Sequence, residues 1–368
     1  MKNLRLRGFL LACALALVFA VAPASAQRGL DLAPALAAQA HHTDNLLKIP
    51  GIAGTAVGLG TDGQPVVKIY TEKSGIGGLP QTLDGVPVEI QVTGKIQPLA
   101  PPPGKGGGHG VNPTAKFTPP VPLGVSSGNI QSIQIVGLFI TCTSGTLGAR
   151  LRNGAGTYYA LSNNHVYALS NDAVLNDSGN PATIVQPGPA DTNCDAGSSN
   201  DIGTLTAFVT LKYDGTDNKV DAAIAATTTS DVKNQFWDGA TSPSGTTRTL
   251  TGSDIGLAVR KYGAVSKLTV GKVAAVNATL NIDYGNDADG NPRIAHFVSQ
   301  IEFSGCKGKC IKAGDSGSTL LTNDSAHNPV GLLFAGDQTG GTAWANPIAD
   351  VLSQLNTALG GGANLNFQ

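Results

Sequence analysis

Three side chains of this sequence could together break a carbonyl bond. Ser316 stands in Ala313-Gly314-Asp315-Ser316-Gly317-Ser318. The small residues around it let the backbone turn tightly and leave the hydroxyl accessible. The amides of Gly314 and Ser316 could then face one spot, where a tetrahedral oxyanion would form; such donors contribute about 3–4 kcal/mol each. A serine hydroxyl is a poor nucleophile without a base, and histidine is the usual one. His165 follows the strand candidate Tyr158–Leu161 and the polar Ser162-Asn163-Asn164, where a strand meets a loop. The imidazole needs a buried acceptor to fix its tautomer. Asp221, in Lys219-Val220-Asp221-Ala222-Ala223-Ile224-Ala225, is a single carboxylate amid small apolar residues, costly to bury unless paired. Asp201, in Asn200-Asp201-Ile202-Gly203, is the rival acid; Asp221 fits better because an uninterrupted apolar run follows it directly. Alone, residues 314–318 read equally well as a Gly/Ser turn without chemistry. The combination is stronger: the order is His, Asp, Ser, with separations of 56 residues (165 to 221) and 95 residues (221 to 316). That order excludes an α/β-hydrolase, whose order is Ser, acid, His, and Ser318 replaces the last glycine of the nucleophile elbow.

Other motifs have plainer readings. Gly58-Leu59-Gly60-Thr61-Asp62-Gly63 matches a dinucleotide fingerprint, but a strand-like run from Pro65 follows it where a helix is required, so it is a hairpin turn. Asp283, Asp287, Asp289 and Asn291 resemble a sparse calcium loop without its glycine and closing glutamate; a polar hairpin tip explains them. Cys306 and Cys310 could open a zinc site, but only the isolated His296 is near, and His109 reads as a solvated linker residue. No cofactor or metal is expected.

These side chains must be positioned by short strands. The chain has 368 residues, few aromatics and 48 glycines, and its single Met is the first residue. That mixture suits strands and turns. A formal net charge of −1 gives no argument for nucleic acid or an anionic membrane as partner. Residues 1–26 read as a signal peptide: Lys2, Arg5 and Arg7, an apolar run from Phe9 to Val21, then Ala24-Ser25-Ala26 for cleavage. The run is too short for a membrane span, and no later run is long enough, so a secreted or periplasmic protein is expected. Its removal leaves 21 basic residues against 25 acidic, a charge of −4, and takes Cys13 with it. The four cysteines left suggest two disulfides with three possible connectivities; Cys306–Cys310 and Cys142–Cys194 are favoured.

Residues 27–97 read as a small α/β domain: an alanine-rich helix ended by Pro50-Gly51, then strands Ile52–Leu59, Pro65–Thr71 and Val86–Val92. Residues 98–122 are a Pro/Gly-rich linker that should be exposed. From 123 the texture is short β-branched runs between Gly, Asn, Asp and Ser clusters, among them Ser132–Ile140, Lys267–Val276, Thr279–Tyr284 and Val330–Phe334. Such frequent strands argue for a sandwich or a pair of barrels over 123–360. A helix follows Pro347, carrying Ile348, Val351, Leu352, Leu355 and Leu359, and residues 361–368 are expected to be a disordered tail.

On His165, on Val220-Asp221-Ala222-Ala223 and on Gly314-Asp315-Ser316-Gly317-Ser318, residues 123–358 resemble the trypsin-like serine peptidases. Arg260-Lys261-Tyr262-Gly263 and Val330–Gly336 are similar to second-barrel strands of that family, and Ala345-Asn346-Pro347-Ile348 to the start of its C-terminal helix. The whole chain looks closest to a bacterial group related to the plant narrow-leaf serine protease, which carries a segment like Gly54–Thr71 and Leu79–Gly94. The resemblance implies two antiparallel barrels, 123–232 and 245–342, with the site in the cleft between them. It implies His165, Asp221 and Ser316 as the triad of a secreted endopeptidase acting on protein or peptide substrates, and Gly314 and Ser316 as oxyanion donors. An esterase on the same fold and a silent binding domain are the other readings. By the same resemblance Cys310, six residues before Ser316, lies at the base of the primary specificity pocket, with Ala335 and Gly336 beside it and Asp337 near the mouth. The chain departs from the family in Asn164-His165-Val166, which lacks the usual cysteine, and in having no Ile-Val-Gly-Gly sequence at 119–126. Asp315 is then expected to be held by local hydrogen bonds.

Overall fold

The computed structural model describes residues 31–98, 111–175, 179, 182–287 and 289–368. The expected signal peptide and His109 lie outside the described residues. The molecule is mainly β, with two helices longer than ten residues, Ala33–Leu46 and Ile348–Ala358, among the described residues.

Two barrels form. In the first, Ala149–Arg152, Tyr158–Ser162, Ala223–Thr227, Asn200–Phe208, Thr183–Gln186 and Ser126–Asn129 pair in that order. Gly145–Thr146 pairs with Ser126–Asn129, and two further bonds, Leu147 N to Val125 O (2.9 Å) and Gly124 N to Leu147 O (2.8 Å), close the ring. The alternation of small and branched residues decides which face is which. Ala223 and Ala225 point into the barrel with Leu147, Ile184 and Ile202. Ala222 and Ile224 point outward, under Val351 and Leu355 of the C-terminal helix. In the second barrel the order is Pro292–Ser304, Ala343–Pro347, Pro329–Gly336, Thr319–Thr322, Ala258–Gly263, Lys267–Asn286, with the last strand pairing back onto the first. Val259, Phe303, Leu320 and Leu333 fill its interior.

Where two strands, Lys267–Val276 and Thr279–Tyr284, are expected, the structure has one of 20 residues, Lys267–Asn286. Asn277 adopts a positive φ of 54°, and the register with Pro292–Ser304 shifts between Ala275 and Ala278. The polar residue that reads as a break is a bulge that bends the strand without ending it. Ser132–Ile140, expected as one strand, is a short 3-10 turn followed by a two-stranded hairpin, Gln134–Val136 with Phe139–Thr141, whose side chains are exposed.

The N-terminal segment is joined to the second barrel rather than separate from it. Ile52–Leu59 pairs antiparallel with Lys267–Asn286 (Gly54 opposite Leu280), Pro65–Thr71 pairs with Ile52–Leu59, and Val86–Val92 runs parallel beside it, so all belong to one eleven-stranded sheet. Ala33–Leu46 packs on its outer face through Ala35, Ala38 and Leu46. A buried ion pair fastens the junction: Lys68 Nζ lies 2.6 Å from Glu302 Oε2, which also accepts from Tyr70 Oη at 2.6 Å. The exposed linker expected over 98–122 does not extend to its end. Pro113 is buried, Phe117 N donates to Gln186 Oε1 (2.9 Å), and Val121–Leu123 pairs with Val232–Phe236. The tail is ordered too. Asn366–Phe367 pairs with Ala149–Arg152, because Leu365 and Phe367 have an apolar seat beside Leu151 and Leu355.

Candidate active site

His165 sits on a one-turn helix, Asn164–Tyr167, that follows directly on the strand Tyr158–Ser162. Asp221 precedes the neighbouring strand Ala223–Thr227, whose pairing with Tyr158–Ser162 (Ser162 opposite Ala223) brings residues 221 and 165 together. Asp221 is fully buried. Its Oδ1 accepts the His165 backbone N–H at 3.1 Å and its Oδ2 lies 2.6 Å from His165 Nδ1. An ionised carboxylate only accepts, so in this contact Nδ1 is the donor and Nε2 is the ring nitrogen left outside it. The rival acid, Asp201, is exposed on the strand Asn200–Phe208, away from this contact.

Side chains not singled out by the sequence complete the clamp. Tyr284 Oη donates to Asp221 Oδ2 at 2.6 Å, and its ring meets His165 edge-on, centroids 6.1 Å apart. Burial pushes the Tyr284 hydroxyl well above its usual pKa, and the neighbouring Asp221 charge adds to this, so it stays a donor. Asn346 Oδ1 accepts the Asp221 N–H at 3.0 Å; Asn346 Nδ2 donates to Gln300 Oε1 (2.7 Å), and Gln300 Nε2 to Lys219 O (3.0 Å). Asn163 Nδ2 donates to Asp221 O at 2.7 Å. The acid is thus held from both barrels. The signal for Asn346 was a lone amide between apolar residues of a strand.

Ser316 lies in a tight turn between Cys310 and the strand Thr319–Thr322. Gly314 and Gly317 have φ values of 96° and 92°, a region that favours glycine. The turn is fixed from beneath. Asp315 is fully buried and accepts from Val265 N (3.0 Å), Ser266 N (2.9 Å) and Lys312 N (2.8 Å). Lys261 Nζ, also fully buried, lies 3.1 Å from Asp315 Oδ2. Local hydrogen bonds therefore do hold Asp315, with a cation added. The sequence hint for Lys261 was its place on the inward-facing side of Ala258–Gly263, in step with Val259. Burial pulls the Lys261 ammonium below its usual pKa, against the pull of Asp315. The turns of His165 and Ser316 meet on residues 145 and 146: Thr146 N donates to Ser316 O (2.7 Å), and a Cβ on Gly145 would collide with both Val166 and Ser316 O.

His165 Nε2 and Ser316 Oγ are both buried and without a hydrogen-bond partner, two of eight such side-chain atoms among the described residues. The Gly314 and Ser316 amides likewise have no acceptor among the described residues. Buried polar groups are nearly always paired, so these unpaired ones, on turns that meet at Gly145 and Thr146, need a reason. Beside His165 lies a depression of about 240 Å³ lined by Ser132, Thr141, Cys142 and Leu169.

Around the expected specificity pocket, Cys310 is fully buried. Cys310 N donates to Gly340 O (2.7 Å), which sets the 337–341 turn against it. The Asp337 carboxylate caps that turn, accepting from Gly341 N (2.9 Å) and Thr339 Oγ1 (3.0 Å). Cys306 pairs with Cys310 and Cys142 with Cys194.

No family model matches the chain, and no curated protein matches it. Among solved structures, a glutamic-acid-specific serine protease, described as using a histidine triad in substrate binding, is 18% identical with a TM-score of 0.42, over 67% of this chain and 100% of that one. Cellulomonas bogoriensis chymotrypsin is 16% identical with a TM-score of 0.39, over 67% and 98%. Thermobifida fusca protease A is 16% identical with a TM-score of 0.38, over 63% and 94%. These solved structures are serine proteases, similar to this chain at low identity and over about two thirds of its length.

Proposed function

We propose that this chain is an exported serine endopeptidase in which Ser316 is the nucleophile, His165 the general base and Asp221 its orienting acid. The observation that carries the reading is an Asp-clamped imidazole whose Nε2 has no partner, together with an unpartnered serine hydroxyl and two unpartnered amides on a turn that meets the His165 turn at Gly145 and Thr146. Ser316 Oγ attacks the scissile carbonyl as His165 Nε2 takes its proton. Asp221 and Tyr284 hold the ring and stabilise its charged form. The Gly314 and Ser316 amides receive the oxyanion, and His165 then protonates the leaving amine; water repeats the sequence on the acyl-enzyme. Two disulfides suit an oxidising compartment, and no helix among the described residues is long and apolar enough to cross a membrane. In this reading residues 1–26 are the signal peptide and 123–360 the peptidase unit.

Labelling with a fluorophosphonate, followed by mapping of the modified residue, tests the assignment. Modification of Ser316 with turnover of peptide substrates is expected. Labelling with turnover of esters only marks an esterase, and no labelling marks a silent binding domain. Specificity follows from the pocket. Cys310 is disulfide-bonded and uncharged, and the Asp337 carboxylate is engaged by its own turn. A basic side chain would meet no free carboxylate there. Small or apolar residues before the cut are expected in cleavage profiling of a denatured proteome, and a strong Arg or Lys preference would refute this pocket.

A further inference from the structure

The strand Pro329–Gly336 is paired along one edge by Ala343–Pro347. Along its other edge Thr319–Thr322 reaches only as far as Leu332. The last bonds on that edge are Gly317 N to Leu333 O (2.9 Å) and Leu333 N to Ser318 O (3.0 Å), made by the turn that carries Ser316. Beyond Leu333 the edge is open to any extended peptide, and one lying antiparallel on it would be led toward Ser316. The chain already lies there. Gln97 makes an antiparallel bridge with Gly336: Gln97 N donates to Gly336 O at 3.3 Å and Gly336 N to Gln97 O at 3.1 Å.

The segment is anchored on the N-terminal side of this bridge. Gln338 N donates to Thr93 O (3.2 Å), Asp283 N to Ile96 O (3.0 Å), and Lys95 Nζ reaches Asp283 Oδ2 (2.9 Å). The Ile96 side chain is fully buried in a cluster with Tyr70, Phe334 and Trp344. These anchors hold the segment in register, while its grip on the Gly336 edge is two main-chain bonds.

We propose that residues 93–98 act as a built-in competitive inhibitor, lying on the main-chain edge at Gly336 that an extended peptide substrate must use. This rests on the peptidase reading of Ser316. Only substrates that reach several residues before the cut compete with Gln97. A fluorophosphonate, or an ester of a single acylated amino acid, needs only Ser316 and the oxyanion amides. The device therefore sets the KM for extended peptides and leaves small probes unaffected.

The test uses the full chain. Gln97→Pro removes the donor to Gly336 O; the loss of one main-chain hydrogen bond should lower KM for an extended peptide about three- to tenfold, at unchanged kcat. Lys95→Ala loosens the exposed anchor and should act in the same direction by about twofold, which keeps the test alive if the proline variant does not fold. Rates of fluorophosphonate labelling and of single-residue ester hydrolysis should equal those of the parent in both variants. Intact labelling with an unchanged peptide KM would overturn the inhibitor and leave the peptidase reading standing. So would a shift of equal size in the small-probe rates, which marks general distortion. Failure of the parent to label Ser316 would overturn the peptidase reading and this inference with it.

Discussion

The Asp221 carboxylate receives hydrogen bonds from the His165 backbone, the His165 ring and the Tyr284 hydroxyl, while its own amide is held by Asn346. These bonds fix the carboxylate and, through it, the imidazole. Under the proposed roles, Ser316→Ala should abolish hydrolysis and covalent labelling, with the circular-dichroism spectrum unchanged, because a triad hydroxyl is worth many orders of magnitude in rate. Asp221→Asn should cripple turnover by favouring the wrong His165 tautomer, and exposed Asp201→Asn should not. Tyr284→Phe removes a bond to a charged acceptor, so kcat should fall about tenfold with little change in KM; steady-state kinetics at one pH decide it, and an unaltered kcat would remove Tyr284 from the clamp. Lys261→Met leaves the Asp315 carboxylate buried beneath Ser316 without its cation. It should cost about 3–5 kcal/mol in urea unfolding.

At the scale of the element, the hairpin of Lys267–Asn286 with Pro292–Ser304 does two jobs. Its base is wall of the second barrel. Its far end, bent by the bulge at Asn277, carries Tyr284 to the first barrel's Asp221 and offers an edge to Ile52–Leu59. On the other side of His165, Cys142 at the foot of the exposed hairpin is tied to Cys194, 52 residues on. By chain entropy a loop of that size is worth roughly 4 kcal/mol. Replacing both cysteines by serine should lower stability by about that amount in denaturant titration under oxidising conditions. Mass mapping of the native protein, made under oxidising conditions and without reductant, should find no free thiol; four alkylatable cysteines would contradict both pairs.

Across the whole molecule, neither the strands of residues 52–92 nor the last residues are appendages. The N-terminal strands complete one sheet with the second barrel, and Glu302 holds Lys68 and Tyr70 in a buried cluster. Glu302→Ala would strand a buried ammonium, so a loss of about 3–5 kcal/mol is expected in urea unfolding. At the other end Phe367 is buried against the first barrel, and Phe367→Ala should cost about 3–5 kcal/mol. A loss below about 1 kcal/mol would show that the tail is a loose end after all.

Much of this was legible in the residues themselves. The uninterrupted apolar run after Asp221 marked a covered segment, the Pro347 helix kept its apolar stripe, and the small residues about Ser316 marked a tight turn. Period and backbone permissiveness are local properties, and a sequence states them directly. Which partners meet is not local. Nothing about Asn277 tells a strand end from a bulge until a second strand fixes the register. Tyr284 at a hairpin tip looks like surface until the bend brings it to Asp221, 63 residues away. Lys68 reads as a solvated charge until Glu302 arrives from 234 residues on. Order and spacing determined the candidate chemistry of His165, Asp221 and Ser316. Only the tertiary structure decided how Asp221 is clamped, that Lys261 supports Asp315, and that Gln97 lies on the edge at Gly336, because each depends on strands that pair across the chain.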